Sequence, residues 1–512
     1  MNRLLYYIIN SICCRMYRKK YRRFISANNI ETIQQNKLNE ILRNNEQSQY
    51  GIQHHFARIK SIADYQENVP LTTYEDYIPD IEQIKSGEKK ILTTENVLLF
   101  EPTSGTTTGS KYIPYTASLK KEFQEGIQPW IYNLYQSIPE IKWGKSYWSI
   151  TPATHQNLYT KGGIPIGFEE DSQYFGKTER YLMNKIFAVD SAVAKEKDID
   201  TFYFKTAISL LKCSNLTFIS IWNPSYLLIL LDYIYEHRDR LLKTMTAHAA
   251  KKIKQPLEEK AFDKIWKKLV AISCWCDASA QPQAEILKSR FPNVKILPKG
   301  LLATECFATF PLIGQNGAAL SIFSHFFEFE DTSDGKIRLA HQLKQDKEYA
   351  LIVTTGGGFY RYRMNDIVRV AGYTHNQIPL LRFIGRGGNV SDLHGEKLSE
   401  LFLKKCIEKL AFQPEFYMFA PEAGQYVLYI KTNKILPDMD NLLRENYHYD
   451  YCRKLGQLKK LKIFKLTGHP QKEYINHCTQ SGQRIGDIKS TILSAKTGWD
   501  KIFTGYYMEK SI

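Results

Sequence analysis

Short apolar runs alternate with helix-like segments through the middle of the chain, and this alternation restricts the fold more than any other feature. Apolar runs bounded by glycine, proline, asparagine or aspartate predict strands at 97–100, 147–151, 216–222, 269–275, 294–297, 349–355 and 380–384. Apolar residues at helical spacing predict helices at 30–47, 117–137, 192–212, 224–246 and 256–270. Strands and helices that alternate along a chain pack as layers on a largely parallel sheet, so we predict an α/β fold.

The length of 512 residues predicts more than one domain, because a single hydrophobic core stops growing well below this size. The last predicted strand is followed by a glycine-rich stretch and then by a shorter part of α+β character. We therefore predict a basic amphipathic N-terminal segment at 1–27, a large domain at 28–384, a hinge at 385–388 and a small domain at 389–512.

Positive charge is concentrated at the N-terminus. The formal net charge is +16, and residues 1–23 hold seven basic side chains and no acidic one. The rest of the chain is mildly basic and has no helix-turn-helix, zinc-finger or RNA-recognition pattern. We therefore predict no nucleic-acid partner.

The apolar run at 4–14 precedes this basic cluster, and it is relevant to whether the chain spans a membrane, is secreted or contacts a membrane surface. It is shorter than the roughly 20 residues that span a bilayer, and a signal peptide would place its charges before the apolar run. A basic helix on an anionic membrane would give weak peripheral contact through residues 1–23; we favour a helix packed on the protein's own body. Nine cysteines, sparsely placed, are typical of a reducing compartment and predict a cytoplasmic location.

A loop rich in glycine and hydroxyl groups follows the strand predicted to end at Phe100. It reads Thr103-Ser104-Gly105-Thr106-Thr107-Thr108-Gly109-Ser110-Lys111. The glycines allow a tight turn with exposed N–H groups, the hydroxyls add donors and the lysine adds a positive charge, which suits phosphate oxygens. The spacing differs from that of a P-loop NTPase. From this segment alone, a polar surface loop is an equally good interpretation.

Further motifs follow in a fixed order. They lie at 50–51, 69–76, 222–225, 300–305, 360–366, 383–386 and 395–400. With the loop above, they resemble the Gretchen Hagen (auxin-responsive) family of acyl-acid amido synthetases, within the adenylate-forming superfamily, from about residue 35 onward. The resemblance implies an adenylate-forming enzyme fold, with a large N-terminal α/β domain and a small mobile C-terminal α+β domain.

The resemblance also implies roles for individual residues, with ATP and Mg²⁺ as cofactors. The implied nucleotide-binding residues are Thr103, Ser104, Gly105, Thr106, Thr107, Gly109, Lys111, Ala303, Thr304, Asp366 and Arg386. Glu305 would hold Mg²⁺, and Asp366 would accept hydrogen bonds from the ribose. Lys489 and Lys397 would be catalytic, with Lys489 as the C-terminal lysine that serves adenylation.

Each of these residues also has a plain structural interpretation on local grounds. Glu305 suits a helix cap or a surface position, and Arg386 suits a solvated linker. Asp366 suits an ion pair with one of the arginines in its own segment, Arg361, Arg363 or Arg369. Lys489 and Lys397 suit the solvated surface, where most lysines lie.

The implied function is an ATP-dependent ligase. It would activate a small-molecule carboxylic acid as an acyl-adenylate with release of pyrophosphate. It would then transfer the acyl group to an amino acid or other amine, forming an amide and AMP. A thioester-forming acyl-CoA ligase shares the first step and stays open as an alternative. The second alternative is a catalytically inactive, membrane-peripheral binding protein of the same fold.

Overall fold

The computed structural model describes residues 3–103, 111–149, 158–167, 185–196, 198–277, 280–387, 390–391, 393, 396, 398–454, 458–481, 483 and 488–508. Helices α1–α6 cover Arg3–Ile25, Ile30–Asn45, Gln49–Gln53, Ile62–Asn68, Tyr74–Lys85 and Ala117–Ser137. Helices α7–α11 cover Ile199–Lys212, Pro224–Glu236, Arg238–Lys243, Ala247–Glu258 and Phe262–Ile265. Helices α12–α16 cover Gln281–Arg290, Glu400–Glu408, Met439–Leu443, Tyr447–Lys454 and Pro470–Gln480. Within the described ranges, each helix is too short or too polar to cross a bilayer.

The strands are numbered in chain order. Strands β1–β8 cover Leu99–Thr103, Lys111–Tyr115, Lys145–Trp148, Leu158–Tyr159, Pro165–Ile166, Leu216–Ser220, Ala271–Cys274 and Lys295–Pro298. Strands β9–β15 cover Thr309–Pro311, Ala318–Leu320, Phe326–Asp331, Ile337–Leu339, Glu348–Thr354, Tyr362–Tyr373 and Pro379–Arg386. Strands β16–β21 cover Val390–Ser391, Leu398–Ser399, Phe416–Glu422, Gln425–Lys431, Lys462–Leu466 and Gly505–Tyr507.

A parallel sheet forms the middle of the chain, in the order β3-β6-β7-β8. Helices connect its strands, and α8 begins where the side chain of Asn223 accepts a hydrogen bond from the Ser225 backbone N–H at 3.0 Å. Pro224 occupies the first helical position, where a missing N–H costs nothing. This part confirms the α/β prediction, and it brings the carboxyl ends of four strands to one edge.

The largest sheet in the described residues is antiparallel, in the order β12-β11-β13-β14-β15-β10-β9. This differs from the largely parallel sheet expected from the sequence. Connections of only five to seven residues join its hairpins, whereas a parallel crossover needs a dozen residues or more. Helices α1, α2, α5 and α6 cover this sheet and share one apolar core with it.

The C-terminal residues contribute to two apolar clusters. One cluster is confined to residues 398–493 and includes Leu403, Phe419 and Leu428. The other joins the parallel sheet and its helices to C-terminal side chains such as Met418 and Tyr474. The C-terminal part therefore packs directly on the parallel-sheet layer.

A buried ionic cluster ties α2, α6 and the antiparallel sheet together. The Glu122 carboxylate lies 3.0 Å from the Lys37 ammonium and accepts a hydrogen bond from His325 Nδ1 at 2.9 Å. His325 Nε2 accepts the Phe307 backbone N–H at 3.0 Å, so the ring is neutral and carries its proton on Nδ1. The Gly356 N–H also donates to Glu122, at 2.9 Å. The carboxylate therefore fixes three separate segments.

The stability that this cluster contributes depends on pH. Burial lowers the pKa of His325 below its ordinary value of 6.5, because the charged ring would be desolvated. Burial opposes ionisation of Glu122, but the charge of Lys37 and the contact with His325 outweigh it, so the pKa of Glu122 lies below 4.5. In both cases the unfolded chain binds protons at a higher pH than the folded chain does.

We predict that the free energy of unfolding falls as the pH drops below about 6.5, with a further loss below about 4.5 where Glu122 is protonated on unfolding. The substitution His325→Gln should flatten the first part of this slope, because the amide can still bridge Phe307 and Glu122 without taking up a proton. Denaturant titrations between pH 7 and 5 measure the slope. The matched control, His375→Gln, changes an exposed histidine. It should show the same pH slope as the wild type. An unchanged slope in His325→Gln would contradict the assignment.

Candidate functional site

The segment 300–305 forms a tight loop before β9. Leu302 and Phe307 pair across it, and the Ala303 N–H donates to the Cys306 carbonyl at 3.0 Å, which leaves Thr304 and Glu305 at its tip. The Tyr115 hydroxyl, at the end of β2, donates to the Thr304 carbonyl at 2.7 Å. The loop with the predicted metal ligand is therefore fixed to the strand that follows the predicted phosphate loop.

The strand β14 starts from a buried ion pair. Arg361 makes a bidentate contact with Glu328, at 3.0 and 3.1 Å, and also donates to the carbonyls of Gln66 and Val69, both at 2.9 Å. Both side chains of the ion pair are almost fully buried, with 6% and 1% exposure. Arg361 has a φ of +48°, in the left-handed region, and its carbonyl accepts the Thr72 N–H at 3.0 Å. This network sets the direction in which β14 begins.

The other arginines of this strand also have partners of their own. Arg363 pairs with Glu330 at 3.2 Å, and Arg369 pairs with Glu348 at 2.6 Å. The ion pairs considered from sequence between Asp366 and these arginines are therefore replaced by arginine–glutamate pairs. Asp366 instead accepts a hydrogen bond from Arg386 Nε at 3.2 Å.

Asp366 and Arg386 face each other across β14 and β15. They are register partners beside an irregularity in the ladder between Ile367 and Val368. Asn365, just before Asp366, has a φ of +59°; asparagine is among the residues that adopt this conformation most readily. The Asp366 carboxylate is buried, whereas the Arg386 side chain keeps 40% exposure. The nearby Asp366 and Glu305 charges raise the pKa of Arg386 and outweigh its partial desolvation, so its positive charge is secure.

Tyr362 connects Lys111 and Glu305 to this pair. The Lys111 ammonium donates to the Tyr362 hydroxyl at 3.4 Å and lies 5.2 Å from the centre of the Tyr74 ring. Burial, followed by the charge of Glu305, raises the pKa of Tyr362 far above its ordinary value. The same carboxylate also contributes to the raised pKa of Arg386. Lys111 therefore contacts a buried tyrosine whose hydroxyl also feels the charges of Glu305, Glu75, Arg386 and Asp366.

The predicted phosphate loop closes the hairpin β1–β2. Thr103 and Lys111 are register partners at its two ends, and Lys111 contacts Tyr362. Six predicted site residues lie outside the described residues: Ser104, Gly105, Thr106, Thr107, Gly109 and Lys397.

Lys489 is exposed, and its ammonium lies 5.0 Å from the centre of the Trp275 ring. Its carbonyl accepts the Tyr474 hydroxyl at 3.2 Å. The amide of Asn223, at the start of α8, donates to the Ile488 carbonyl at 3.0 Å. The predicted C-terminal lysine is therefore positioned at the carboxyl edge of the parallel sheet.

A second lysine at this edge was missed by the sequence reasoning. Lys299 directly follows β8, is only 7% exposed, and donates to the Ser220 hydroxyl at 2.8 Å. Its ammonium lies 4.3, 4.8 and 5.8 Å from the ring centres of Trp222, Trp130 and Trp148. Two signals in the sequence point to it: it follows the predicted strand at 294–297 by two residues, and it immediately precedes the motif at 300–305. We call these four residues the lysine–tryptophan cluster.

Ligands of α/β proteins bind where the carboxyl ends of parallel strands meet. Trp148 and Ser220 end β3 and β6, Lys299 follows β8, and Trp275 follows β7. The lysine–tryptophan cluster lies at this edge, next to Lys489. The loop at 300–305 leads from this edge to Glu305, so the two parts of the candidate site are continuous along the chain.

Two family descriptions match the chain. The GH3 family N-terminal domain matches residues 24–297, and the GH3 family central domain matches residues 318–386. The chain is 23% identical to the indole-3-acetic acid-amido synthetase GH3.4 of Arabidopsis thaliana, covering 74% of this chain and 71% of that protein. It is 22% identical to the jasmonoyl–L-amino acid synthetase GH3.5 of Oryza sativa subsp. japonica, covering 90% and 91%.

Solved structures show the same fold. AtGH3.15 acyl acid amido synthetase in complex with 2,4-DB superposes with a TM-score of 0.80 at 18% identity, covering 98% of both chains. A 2-hydroxyisobutyryl-CoA ligase in the postadenylation state, in complex with 2-HIB-AMP, superposes with a TM-score of 0.50 at 11% identity, covering 91% of this chain and 89% of that one. The predicted adenylate-forming fold is thereby confirmed.

Proposed function

Because the chain belongs to the GH3 family, we propose that it is an ATP-dependent ligase that joins a carboxylic acid to an amine through an acyl-adenylate. The observation that carries the proposal is the convergence of Lys111, Glu305, Asp366 and Arg386 around Tyr362. These residues come from distant segments of the chain, and each has the chemistry that one part of ATP requires.

Asp366 and Arg386 are proposed to hold the ribose end of the nucleotide. A buried carboxylate can accept hydrogen bonds from both ribose hydroxyls, and the contact with Arg386 orients this carboxylate. Lys111 and the loop at 103–109 are proposed to hold the phosphates, since a lysine and exposed N–H groups suit phosphate oxygens. Ala303 and Thr304, on the loop fixed by Tyr115, are proposed to contact the nucleotide between these ends.

Mg²⁺ fits the candidate site through Glu305. Mg²⁺ in nucleotide sites commonly takes one or two carboxylates and fills its other positions with phosphate oxygens and water. In the described part of the chain, no group of three or more metal-ligating side chains converges, and a single carboxylate meets this lower requirement. Glu305 is proposed to hold the ion, which when bound would offset the charge of the ATP phosphates.

Adenylation needs a cation where the carboxylate oxygen attacks the α-phosphorus and pyrophosphate leaves. Lys489 is proposed to supply it, with Lys397 near the nucleotide. In the second step the amine nitrogen attacks the acyl carbon, the bond to AMP breaks and the amine gives up a proton. We propose that the division at 28–384 and 389–512, with a hinge at 385–388, serves these two steps.

Lys299 is proposed to bind the carboxylate of the acyl substrate. The ammonium of Lys299 is almost fully withdrawn from water and lies over three indole rings. A charge-assisted hydrogen bond to a carboxylate is stronger in such a setting than in solvent. The indole rings of Trp130, Trp148 and Trp222 would cover the apolar part of the acid.

The acceptor is proposed to be an amino acid, because the two relatives named above carry amido-synthetase or amino-acid-synthetase names. Because a thiol acceptor would require the same adenylation site, the site does not distinguish the two, and the acceptor must be identified by experiment. A cytoplasmic location is also proposed. All nine cysteines lie in the described part of the chain, and they form no disulfide there, which fits a reducing compartment.

The function is tested by exchange of labelled pyrophosphate into ATP in the presence of a library of carboxylic acids. We expect at least one acid to drive exchange, and EDTA to abolish it. Release of AMP with the active acid should then rise with an amino acid and not with CoA. If CoA alone raises it, the enzyme is a thioester ligase. If ATP binds and no acid drives exchange, the inactive binding protein is the better interpretation.

The ribose role is tested with Asp366→Asn, which removes one charge-assisted acceptor. A hydrogen bond to a charged group contributes about 1.5–3 kcal/mol, so the dissociation constant for ATP should rise about 10- to 100-fold. Glu330→Gln is the matched control, because it breaks the half-exposed pair with Arg363 in the same sheet. Calorimetric titration measures binding, and thermal unfolding confirms that both variants are folded. Unchanged affinity in a folded Asp366→Asn protein would refute the role.

The role of Lys299 is tested with Lys299→Met, which keeps the volume and removes the charge. We expect the KM for the acid to rise about 10- to 100-fold, the value of one charge-assisted hydrogen bond, with ATP affinity unchanged. The control is Lys295→Met, at an exposed lysine four residues earlier in β8. A loss of thermal stability without any change in this KM would show that Lys299 only supports the fold.

A further inference from the structure

The N-terminal helix α1 is fixed to the body of the protein along one side. Its buried side chains include Tyr6, Ile9, Cys13 and Tyr17. The amide of Asn10 donates to the carbonyls of Lys142 and Gly144, at 3.0 and 3.2 Å. This packing agrees with the interpretation favoured from the sequence. It also means that α1 cannot turn its buried side towards any other partner without leaving the body.

The opposite side of α1 carries a row of large apolar side chains in contact with solvent. Their exposed fractions are between 41% and 53%, for Leu4, Leu5, Ile8, Ile12 and Met16. Side chains four positions apart lie on the same face of a helix, which advances by about 100° per residue. The row is therefore continuous over the first four turns, and it lies opposite the buried side.

A partly exposed tryptophan lies beside the first turns of α1. Trp143 is 37% exposed, and its ring stacks on Tyr7 with 4.4 Å between ring centres. The Arg3 guanidinium lies 5.9 Å from the centre of the same ring. Tryptophan and tyrosine side chains are enriched at membrane–water interfaces, because one end of each ring system is apolar and the other is polar.

Basic side chains occupy the second half of the same side of α1. The exposed ones include Arg15, Arg18, Lys19 and Arg22. Two further basic residues are held by the body instead: Lys20 and Arg23 both pair with Glu125, the latter at 3.5 Å. The solvent-facing side of α1 is therefore apolar over its first half and strongly basic over its second. Neither half carries an acidic residue.

We propose that this side of α1, together with Trp143, binds the surface of an anionic lipid membrane. We call it the α1 outer face. Interfacial helices combine an apolar stripe that enters the headgroup region with lysine and arginine that contact anionic headgroups. The α1 outer face has both, over a helix about 35 Å long. Charge complementarity favours an anionic surface, and the fixed inner side restricts the contact to peripheral binding.

The expected strength of membrane binding follows from the apolar half and the basic half of the α1 outer face. Each basic residue close to an anionic surface strengthens binding about fivefold. Burial of two half-exposed isoleucines contributes about a further 20-fold. Loss of either half should therefore weaken membrane binding at least about tenfold, and binding should fall with rising salt because surface charges are screened.

The apolar half is tested by cosedimentation of the full chain with vesicles. We expect binding to vesicles of phosphatidylcholine and phosphatidylglycerol at 3:1, and little binding to pure phosphatidylcholine. The double variant Ile8→Gln/Ile12→Gln should bind at least about tenfold more weakly. The matched control is Ile52→Gln/Ile435→Gln, which changes two isoleucines of 61% and 94% exposure elsewhere and should bind as the wild type does.

The basic half is tested by replacing Arg15, Arg18, Lys19 and Arg22 with glutamine. This variant should lose anionic-vesicle binding and its dependence on salt. A control with the same change in charge replaces exposed lysines away from α1, namely Lys251, Lys252, Lys254 and Lys267. Thermal unfolding checks that every variant is folded, which is expected because all the changed side chains point to solvent.

Two outcomes would overturn the proposal. One is equal vesicle binding by the wild type and both α1 variants, which would place the lipid contact elsewhere or show that none exists. The other is a concentration-dependent dimer in sedimentation equilibrium that Ile8→Gln/Ile12→Gln dissociates, without vesicle binding. That result would assign the α1 outer face to a second copy of the chain.

Discussion

The buried pair of Arg361 and Glu328 is the interaction on which the geometry of the candidate site most depends. A guanidinium almost fully withdrawn from water must have its donors satisfied, and here a bidentate carboxylate and two carbonyls satisfy it. These acceptors belong to β11 and to the end of α4, so three segments are fixed around one charge. The left-handed conformation of Arg361 then sets the start of β14, and Asp366 follows five residues later. Removing one partner of such a pair typically costs about 3–5 kcal/mol.

The cluster around Glu122 complements this pair at the other side of the antiparallel sheet. It fixes α2, α6 and the backbone at Gly356, which leads towards the turn before Arg361. Both clusters are ionic and buried, and both connect a helix to a loop of the antiparallel sheet, at Arg361 in one and at Gly356 in the other. Hydrophobic contact holds the layers together, whereas these charges decide where the loops between them lie. The loops carry the candidate site, so its position depends on a small number of buried charges.

Motifs in the sequence pointed to the residues proposed for the nucleotide, because Lys111, Glu305, Asp366 and Arg386 lie in short segments of characteristic composition. What brings them together could not be predicted, since Tyr362 contacts Lys111 across 251 positions of sequence. The predicted continuous helix at 256–270 is interrupted: α10 ends at Glu258, the chain turns at Lys260 with a φ of +54°, and only the short helix α11 follows, at Phe262–Ile265. The antiparallel sheet was missed because only two of its strands, at 349–355 and 380–384, were predicted, and apolar runs do not give strand direction. Lys299 was missed because its tryptophan neighbours come from three other segments, which only the fold brings together.

The two ends of the candidate site differ in how firmly they are connected to the C-terminal part. Asp366 lies within β14, so its position does not depend on the C-terminal part, whereas Arg386 ends β15 inside the proposed hinge at 385–388. Lys489 reaches the lysine–tryptophan cluster through Trp275 and through the hydrogen bond between Asn223 and the Ile488 carbonyl. In the proposed reaction, withdrawal of the C-terminal part would remove the Lys489 cation while Lys299 stays at the edge of the parallel sheet. The acyl-adenylate would thus stay bound beside Lys299 after the adenylation cation has left, which is the order that transfer to an amine requires.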